Sequence, residues 1–152
     1  MTTGETPIAI LIRRIEAGDE DAVATLALQL GYARSADTIR GWIESLGDRP
    51  EQAAFVACLN NQVVAWIEIS VQRHLQSEPY ALIGGLVVGD GLRGRGIGRL
   101  LCKKAEQWAW EQGIQTVRVT SRSTRVDAHR FYRETGYQDA KTSLVFDKTR
   151  KE

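Results

Sequence analysis

The 152-residue sequence lacks several features that would decide its class at once. It has no apolar run near the ~18 residues that a membrane-spanning helix requires, and its N-terminus lacks the pattern of a secretory signal peptide. Its 20 Lys and Arg residues against 19 Asp and Glu leave a net charge of +1, so global charge favours neither nucleic acid nor an anionic membrane as partner. These absences predict a soluble protein of the cytoplasm.

Cysteine is equally scarce. Cys58 and Cys102 are the only two cysteines, and they lie far apart in apolar stretches without the spacing of metal ligands. Neither has a recognisable basic neighbour that would make it a reactive thiolate. We expect two buried free thiols and no metal site.

The pattern of apolar residues predicts a single domain over residues 1–152, with the polypeptide alternating between strands and helices. The first half is expected to contain a strand at 8–15, a helix from the N-cap Asp19 to Gly31, a helix from the N-cap Ser35 to Gly47, and two hairpin strands at 53–59 and 62–71 around an Asn60-Asn61 turn. A loop through 77–79 then leads to a strand at 80–88 and the glycine-rich loop. After this loop we expect a helix ended by Gly113, a strand at 116–120, a helix at about 126–134 ended by Gly136, and a final strand at 142–147. This order predicts an α/β fold with a mixed sheet and helices on both faces.

The nine residues from Gly91 to Arg99, GLRGRGIGR, carry the strongest functional signal. They follow an apolar, β-prone strand and open a segment of helical periodicity, so the glycines lie where a strand turns into a helix. Glycine allows a tight turn and a close approach of the backbone to a ligand, and the first N–H groups of a helix have no intrahelical partner. The loop therefore predicts a phosphate or pyrophosphate site.

Two common phosphate-binding motifs do not fit this loop. The dinucleotide fingerprint needs GxGxxG and an acidic residue about 20 positions later, whereas glycines 94, 96 and 98 are spaced by two and the next strand ends in Thr120, Ser121 and Arg122. The Walker A pattern, GxxxxGK followed by Ser or Thr, does not occur. A tight turn that carries solvated arginines stays the plain alternative.

The pattern RxxGxG, formed by Arg93, Gly96 and Gly98, resembles the acyl-CoA-binding motif of the GNAT superfamily of N-acetyltransferases. A second stretch, DAHRFYRETGY at 127–137, is similar to the FYxxxGF signature on the last long helix of that family. The resemblance covers nearly the whole chain. It implies the GNAT fold, a mixed and mostly antiparallel sheet of about six to seven strands flanked by about four helices.

The resemblance also implies an activity: direct transfer of acetyl from acetyl-CoA to a primary amine of a small molecule, peptide or protein, without an acyl-enzyme or a metal. By family analogy the backbone of Leu86–Val88 would pair with pantetheine, the Val88 N–H would stabilise the oxyanion, and the loop amides would hold the pyrophosphate. The cofactor-binding residues implied in this way are Leu86, Val87, Val88, Arg93, Gly94, Arg95, Gly96, Ile97, Gly98, Arg99 and Arg125. Solvated charge stays an alternative for the Arg93 and Arg95 side chains.

Two positions, one on the last helix and one just before it, need separate interpretation. Tyr132 matches the family tyrosine that acts as general acid to the CoA thiolate, and a core tyrosine with a satisfied hydroxyl is the alternative. Arg125 stands where many members carry asparagine, seven residues before that tyrosine. Its side chain would reach a CoA phosphate or face water, and both interpretations stay open.

The general base is the weakest part of the resemblance. Many members carry a glutamate on the strand before the glycine loop, where this chain has Leu82, Gly84 and Gly85. We take Glu68 on the preceding strand as first candidate, because Trp66, Glu68 and Ser70 would share one face, with an exposed strand carboxylate as the alternative. The other candidates are Glu78, His74 and His129, of which His129 is better explained as structural.

The acceptor stays open. The family shapes its acceptor site from the two N-terminal helices and neighbouring loops, and the segment WIEISVQRHL distantly resembles aminoglycoside-modifying members. The candidate wall residues are Tyr32, Trp42, Trp66, His74 and Tyr80. Homodimers are common in the family, so the resemblance allows a homodimer without implying one. A non-catalytic module that binds or senses acyl-CoA is the alternative function.

Overall fold

A five-stranded sheet in the order β1-β2-β3-β4-β5 forms the centre of the first of two units, which are divided between Thr120 and Ser121. The computed structural model describes residues 9–151, so the predicted first residue of β1, Ile8, lies outside the described residues. Strands β1 to β4 pair antiparallel, and β5 pairs parallel with β4. The strands are β1 Ile10–Arg14, β2 Gln52–Leu59, β3 Gln62–His74, β4 Ser77–Val88 and β5 Val117–Val119.

The described part of the chain contains four α-helices. In the first unit these are α1 Glu20–Leu28, α2 Ala36–Ser45, which runs into a short 3-10 helix at Leu46–Asp48, and α3 Ile97–Glu111. The second unit contains α4 Val126–Glu134. The element order confirms the predicted one up to α4.

Local signals account for most element ends. Ser35 caps α2, since its hydroxyl accepts a hydrogen bond from the Thr38 N–H at 3.1 Å. Asn60 and Asn61 both have positive φ, 51° and 64°, as a two-residue hairpin turn requires. Gly113 and Gly136 follow α3 and α4 with φ of +79° and +100°, which confirms them as the stops of these helices.

Asp19 stands at the N-cap of α1, but its side chain does not cap the helix. Its carboxylate accepts two hydrogen bonds from the Arg13 guanidinium, at 2.8 and 2.9 Å, and one from the Glu16 N–H at 2.9 Å. The neighbouring Glu20 accepts from Arg40 Nε at 2.8 Å. The two carboxylates thus tie β1 to α1 and α1 to α2.

The core lies on both faces of the sheet. On one face Val23 of α1 and Ile39 of α2 pack with Val56, Cys58 and Trp66 of the strands. On the other face α3 lies against β2, β3 and β4 and buries Ile97, Leu101, Cys102, Ala105, Trp108 and Ala109. Cys58 and Cys102 are buried free thiols, as predicted, and no helix between residues 9 and 151 is long and apolar enough to span a membrane.

Two strand predictions need correction. Within residues 9–151 the sheet has five strands rather than six to seven, and the predicted final strand at 142–147 is wrong: residues 138–151 contain no helix or strand. Leu144, Val145 and Phe146 are 81%, 85% and 87% exposed. Three consecutive apolar residues lack the apolar and polar alternation of a strand with one buried face. A strand also forms only where a partner strand accepts and donates its backbone hydrogen bonds.

The loop predicted at 77–79 is also wrong, because these residues open β4. The turn consists of Leu75 and Gln76, and His74 pairs with Ser77. Pro79 is accommodated because β5 pairs with β4 only from Ala81 onward, so this part of β4 has a strand on one side and the missing proline N–H costs no ladder bond there.

Candidate active site

The glycine-rich loop connects β4 to α3 through residues in the left-handed conformation. Gly91, Gly94 and Gly96 have φ of +80°, +81° and +82°, whereas Arg93 and Arg95 keep negative φ. Alternation of this kind turns successive N–H groups toward one side of the chain, where an anion can bind them. Apart from its two chain neighbours, no residue between 9 and 151 has an atom within 4 Å of the position that a Cβ would take on any of the three glycines, so conformation and not crowding requires glycine there.

Helix α3 begins directly at this loop. Gly96 is its N-cap and provides no side-chain cap, so the first-turn N–H groups of Ile97 and Gly98 point out at the positive end of the helix. The side chains of Arg93, Arg95 and Arg99 are exposed around them. The predicted pyrophosphate residues, 93–99, therefore form one continuous cationic turn.

Arg93 has a nearby carboxylate. Its Nη2 lies 3.5 Å from Asp90 Oδ1, with both side chains more than half exposed. Such a surface pair contributes about 0–1 kcal/mol. The pair therefore leaves the Arg93 guanidinium available to an incoming phosphate.

Strand β4 offers an open backbone edge next to the loop. It pairs with β5 only over Ala81–Ile83, and then continues to Val88 alongside β3. No strand in the described chain pairs with the other side of Gly84–Val88. The predicted pantetheine segment, Leu86–Val88, thus has the free edge that an extended ligand needs to add as a strand would.

A β-bulge interrupts β4 at the start of this open edge. Glu68 pairs with Gly85 and the next residue, Ile69, pairs with Ile83, so Gly84 is the extra residue. A Cβ on Gly84 would lie 2.7 Å from Glu68 Oε1, and a Cβ on Gly85 would lie 2.9 Å from two ring carbons of Trp66. The Glu68 and Trp66 side chains therefore lie across the two glycines. The bulge was not predicted from the sequence, although two adjacent glycines inside a strand pattern are its signal.

The Glu68 carboxylate is half-buried and, among the residues that the structure describes, has neither an ion-pair partner nor a hydrogen-bond donor. Burial raises the pKa of this carboxyl, because loss of solvent disfavours the charged form. A desolvated carboxylate beside an open edge is a proton acceptor with increased affinity for the proton, which is the property that a general base requires.

His74, a second base candidate, is engaged elsewhere. Its ring stacks on Tyr80 with centroids 5.7 Å apart, the Tyr80 hydroxyl lies 3.3 Å from His74 Nε2, and the Arg118 guanidinium lies 4.0 Å above the Tyr80 ring. Glu78 lies in the same part of β4. His74 lies six residues beyond Glu68 along β3, a distance of about 20 Å. The structure therefore does not bring His74 close to the Glu68 carboxylate.

The second unit positions Tyr132 by aromatic packing. Its ring makes edge-to-face contacts with Phe131 and Tyr137, with centroids 5.2 and 5.7 Å apart. The Tyr137 N–H and the Thr135 hydroxyl donate to the Tyr132 carbonyl at 2.9 and 3.0 Å. The left-handed Gly136 reverses the chain after α4, which explains the spacing between the Phe-Tyr pair and the glycine.

Two other predicted residues lie at the start of α4. Arg125 is the N-cap residue, exposed and without a side-chain cap bond. His129 Nε2 lies 2.8 Å from the Arg122 carbonyl oxygen, so this nitrogen donates its proton to the turn before the helix. Among residues 9–151 no group of three or more His, Cys, Asp or Glu side chains could hold a metal ion.

Comparison with known proteins adds a family to this geometry. A model of the acetyltransferase (GNAT) family matches residues 19–137. An aminoglycoside N(6′)-acetyltransferase type 1 from Stenotrophomonas maltophilia is 28% identical over 137 residues, which cover 86% of this chain and 89% of that protein. An aminoalkylphosphonate N-acetyltransferase from Salmonella typhimurium is 35% identical over 86 residues, 56% of each chain.

A solved structure shows the same fold. The aminoglycoside N-acetyltransferase AAC(6′)-Iy in complex with CoA superposes with a TM-score of 0.85, covering 95% of this chain and 98% of that one. The sequence identity is 15%, so this likeness concerns the fold. It confirms the predicted GNAT architecture.

Proposed function

Because the chain belongs to the GNAT family of acetyltransferases, we propose that it moves the acetyl group of acetyl-CoA directly to a primary amine of a small polar molecule. Its named relatives are acetyltransferases that act on aminoglycosides and aminoalkylphosphonates, which supports a small-molecule amine over a peptide. The protein is thus an acyltransferase. The location in the cytoplasm and a homodimer stay predictions, and an amine panel identifies the acceptor.

The observation that carries the proposal is the continuity of β4 with the glycine loop. The open edge at Leu86–Val88 leads within a few residues to the left-handed Gly94 and Gly96. A ligand with an extended, hydrogen-bonding arm and a pyrophosphate at one end fits this arrangement, in which the open strand edge leads into the anion-binding loop. Acetyl-CoA has both parts, and the exposed side chains of Arg93 and Arg95 would hold its phosphates.

The transfer needs three groups. In the proposed mechanism Glu68 takes a proton from the acceptor ammonium through bridging water, and the amine lone pair attacks the thioester carbonyl. The Val88 N–H stabilises the resulting oxyanion. When the C–S bond breaks, the electron pair leaves with the CoA sulfur, and Tyr132 gives that sulfur its proton. The nitrogen, which carries an extra proton after its attack, loses that proton through solvent to the Tyr132 phenolate, so the product is the neutral amide and Tyr132 is restored.

Amine basicity decides how much Glu68 must contribute. A lysine-like amine of pKa about 10.4 requires about 4.6 kcal/mol to become neutral at pH 7, whereas an amine near pKa 8 requires about 1.4 kcal/mol. Burial raises the pKa of Glu68 and so narrows the gap between base and ammonium. A weakly basic amine is therefore the better acceptor for this site.

The test is steady-state release of CoA thiol in the presence of an amine panel. The panel contains an aminoglycoside, an aminoalkylphosphonate, an amino-acid amide and a lysine derivative. We expect turnover with at least one amine. Calorimetric binding of CoA without turnover on any amine would instead favour the sensing module.

The acid is tested by Tyr132→Phe with Tyr137→Phe as the matched control. Both substitutions keep the edge-to-face ring contacts and remove one hydroxyl. Loss of a general acid lowers kcat by about 10²–10⁴-fold, so we expect that loss at position 132 with CoA affinity within about threefold of wild type. Equal kcat in Tyr132→Phe and wild type would remove Tyr132 from this role.

A further inference from the structure

We infer that Gly84 is a positioning residue for the reaction: the side-chain-free bulge of β4 lets the Glu68 carboxylate cross from β3 and stand where a β4 side chain would otherwise be. The inference rests on the proposed function, since it takes Glu68 as the proton acceptor. It adds that glycine at 84 fixes where on the sheet this acceptor acts.

The bulge brings two consecutive positions of β4 under side chains from one face of β3. Successive residues of a regular strand point to opposite faces, yet Cβ atoms on Gly84 and Gly85 would meet Glu68 and Trp66 respectively. The Cβ position of Gly84 lies 2.7 Å from Glu68 Oε1, 3.1 Å from Cδ and 3.3 Å from Cγ. The carboxylate thus occupies the space of the absent side chain.

Space, and not backbone conformation, is the reason for glycine at this position. Gly84 is not among the glycines with positive φ, so its φ does not by itself require glycine. The contrast is with Gly94 and Gly96, which have positive φ and open surroundings. The carboxylate also has no donor among the described residues to hold it, so steric room at Gly84 determines where it lies.

The two glycines of the bulge differ in what they support. Glu68 Oε1 is the end of a flexible chain, and a methyl group at position 84 can push it aside at small cost. Trp66 is a rigid ring packed against Val23, Val56 and Cys58, so a methyl group at position 85 must strain the core. Position 84 therefore allows the base to be moved without unfolding the protein.

The position suits an acceptor that arrives from solvent. Gly84 is exposed and is the first residue of β4 beyond its pairing with β5. Val88, the proposed oxyanion donor, lies four residues further along the same strand, about 13 Å away. The bulge therefore places the carboxylate on the surface of β4 at the open end of the edge that Leu86–Val88 offers to pantetheine.

The first experiment compares Gly84→Ala with Gly41→Ala. Gly41 lies in α2 with no atom within 4 Å of its Cβ position and no positive φ, so this control adds the same methyl group harmlessly. Displacing a catalytic group by about 1 Å costs on the order of 10²-fold in rate. We expect that loss of kcat in Gly84→Ala, with CoA affinity and thermal midpoint close to wild type, and no loss in Gly41→Ala.

A double-variant cycle shows whether the effect passes through Glu68. We expect Glu68→Gln/Gly84→Ala to have the kcat of Glu68→Gln alone, because the displaced group is already inactive. A further 10²-fold loss in the double variant would overturn the inference. So would a wild-type kcat in Gly84→Ala.

A rescue variant tests position directly. In Glu68→Ala/Gly84→Asp the new carboxylate starts from the Cβ that lies 2.7 Å from the present Oε1, which is the reach of an aspartate side chain. We expect at least about tenfold recovery of kcat over Glu68→Ala, since a positioned base contributes about 10²–10⁴-fold. Recovery would not follow if the carboxylate worked from elsewhere.

An activity-independent readout separates this inference from the proposed function. The apparent pKa of Glu68, from 13C NMR of its carboxyl carbon, should fall toward the ordinary value in Gly84→Ala, since displacement returns the group to water, and stay raised in Gly41→Ala. An unchanged pKa in Gly84→Ala would overturn the positioning role. Full kcat in Glu68→Gln would instead refute Glu68 as the base of the proposed function, whatever the pKa shows.

Discussion

Replacing Gly96 by alanine tests the pyrophosphate loop most directly. Gly96 is the N-cap of α3 with φ of 82° and ψ of 5°, and the space around its Cβ position is open. The methyl group therefore meets no neighbour, and the whole cost is conformational. A non-glycine residue in the left-handed region costs about 1–2 kcal/mol.

That cost translates into affinity. The free variant relieves this strain by relaxing to negative φ, so the binding-competent loop is disfavoured by the same 1–2 kcal/mol and the apparent Kd for CoA rises by about 5- to 30-fold. Gly96→Asn is the matched variant, because asparagine tolerates the left-handed region and is a favoured N-cap. We expect it to bind within about threefold of wild type. Gly47→Ala, at an open site without positive φ, should bind as wild type does.

The assay is calorimetric titration with CoA and, in parallel, with pantetheine, which lacks the pyrophosphate. The affinity for CoA should fall in Gly96→Ala while the weak affinity for pantetheine stays unchanged. Wild-type CoA affinity in Gly96→Ala, or an equal loss for pantetheine, would refute the assignment of this loop to the pyrophosphate.

Three further predictions concern titration and burial. Burial raises the pKa of Glu68 in the folded protein, so this carboxyl ionises at lower pH in the unfolded chain and wild-type stability falls as pH rises above about 4.3. In urea unfolding, the free energy of unfolding of Glu68→Gln should therefore increase relative to that of wild type between pH 4.5 and 7.5. Burial alone would raise the pKa of Asp19, but hydrogen bonds from Arg13 and the Glu16 N–H outweigh it and lower that pKa. Asp19→Asn should therefore cost about 1.5–3 kcal/mol at pH 7, with the difference shrinking as pH falls below about 3.9. Burial raises the pKa of Cys102 to about 12, so iodoacetamide at pH 8 should label it by mass spectrometry only after unfolding.

Features set by a few adjacent residues could be predicted from the sequence. The Asn60-Asn61 turn follows from two residues that tolerate positive φ, and the Ser35 cap follows from one hydroxyl before an amphipathic stretch. The glycine loop belongs to the same class, because its conformation is required by φ at Gly94 and Gly96 themselves. Such features depend on local chemistry that the sequence displays directly.

Features set by partners distant in the chain were not predictable in this way. The apolar run at 144–146 has strand propensity, but propensity does not supply the partner strand, and those side chains are exposed. Pro79 indicated a loop, although pairing on one side alone lets a strand include it. In each case the outcome depends on what lies across the sheet, which local pattern does not state.

The base shows the same limit at the level of chemistry. Strand β4 itself has Leu82, Gly84 and Gly85 where the family resemblance leads one to expect a carboxylate, so along this strand the base is missing. The carboxylate comes instead from the neighbouring strand β3: because Gly84 has no side chain, Glu68 occupies the space where that side chain would lie. Glycine thus serves this protein in two physically distinct ways, by conformation at Gly96 and by volume at Gly84. The two uses predict different defects. A methyl group at position 96 should weaken CoA binding, whereas a methyl group at position 84 should slow proton transfer and leave CoA affinity unchanged.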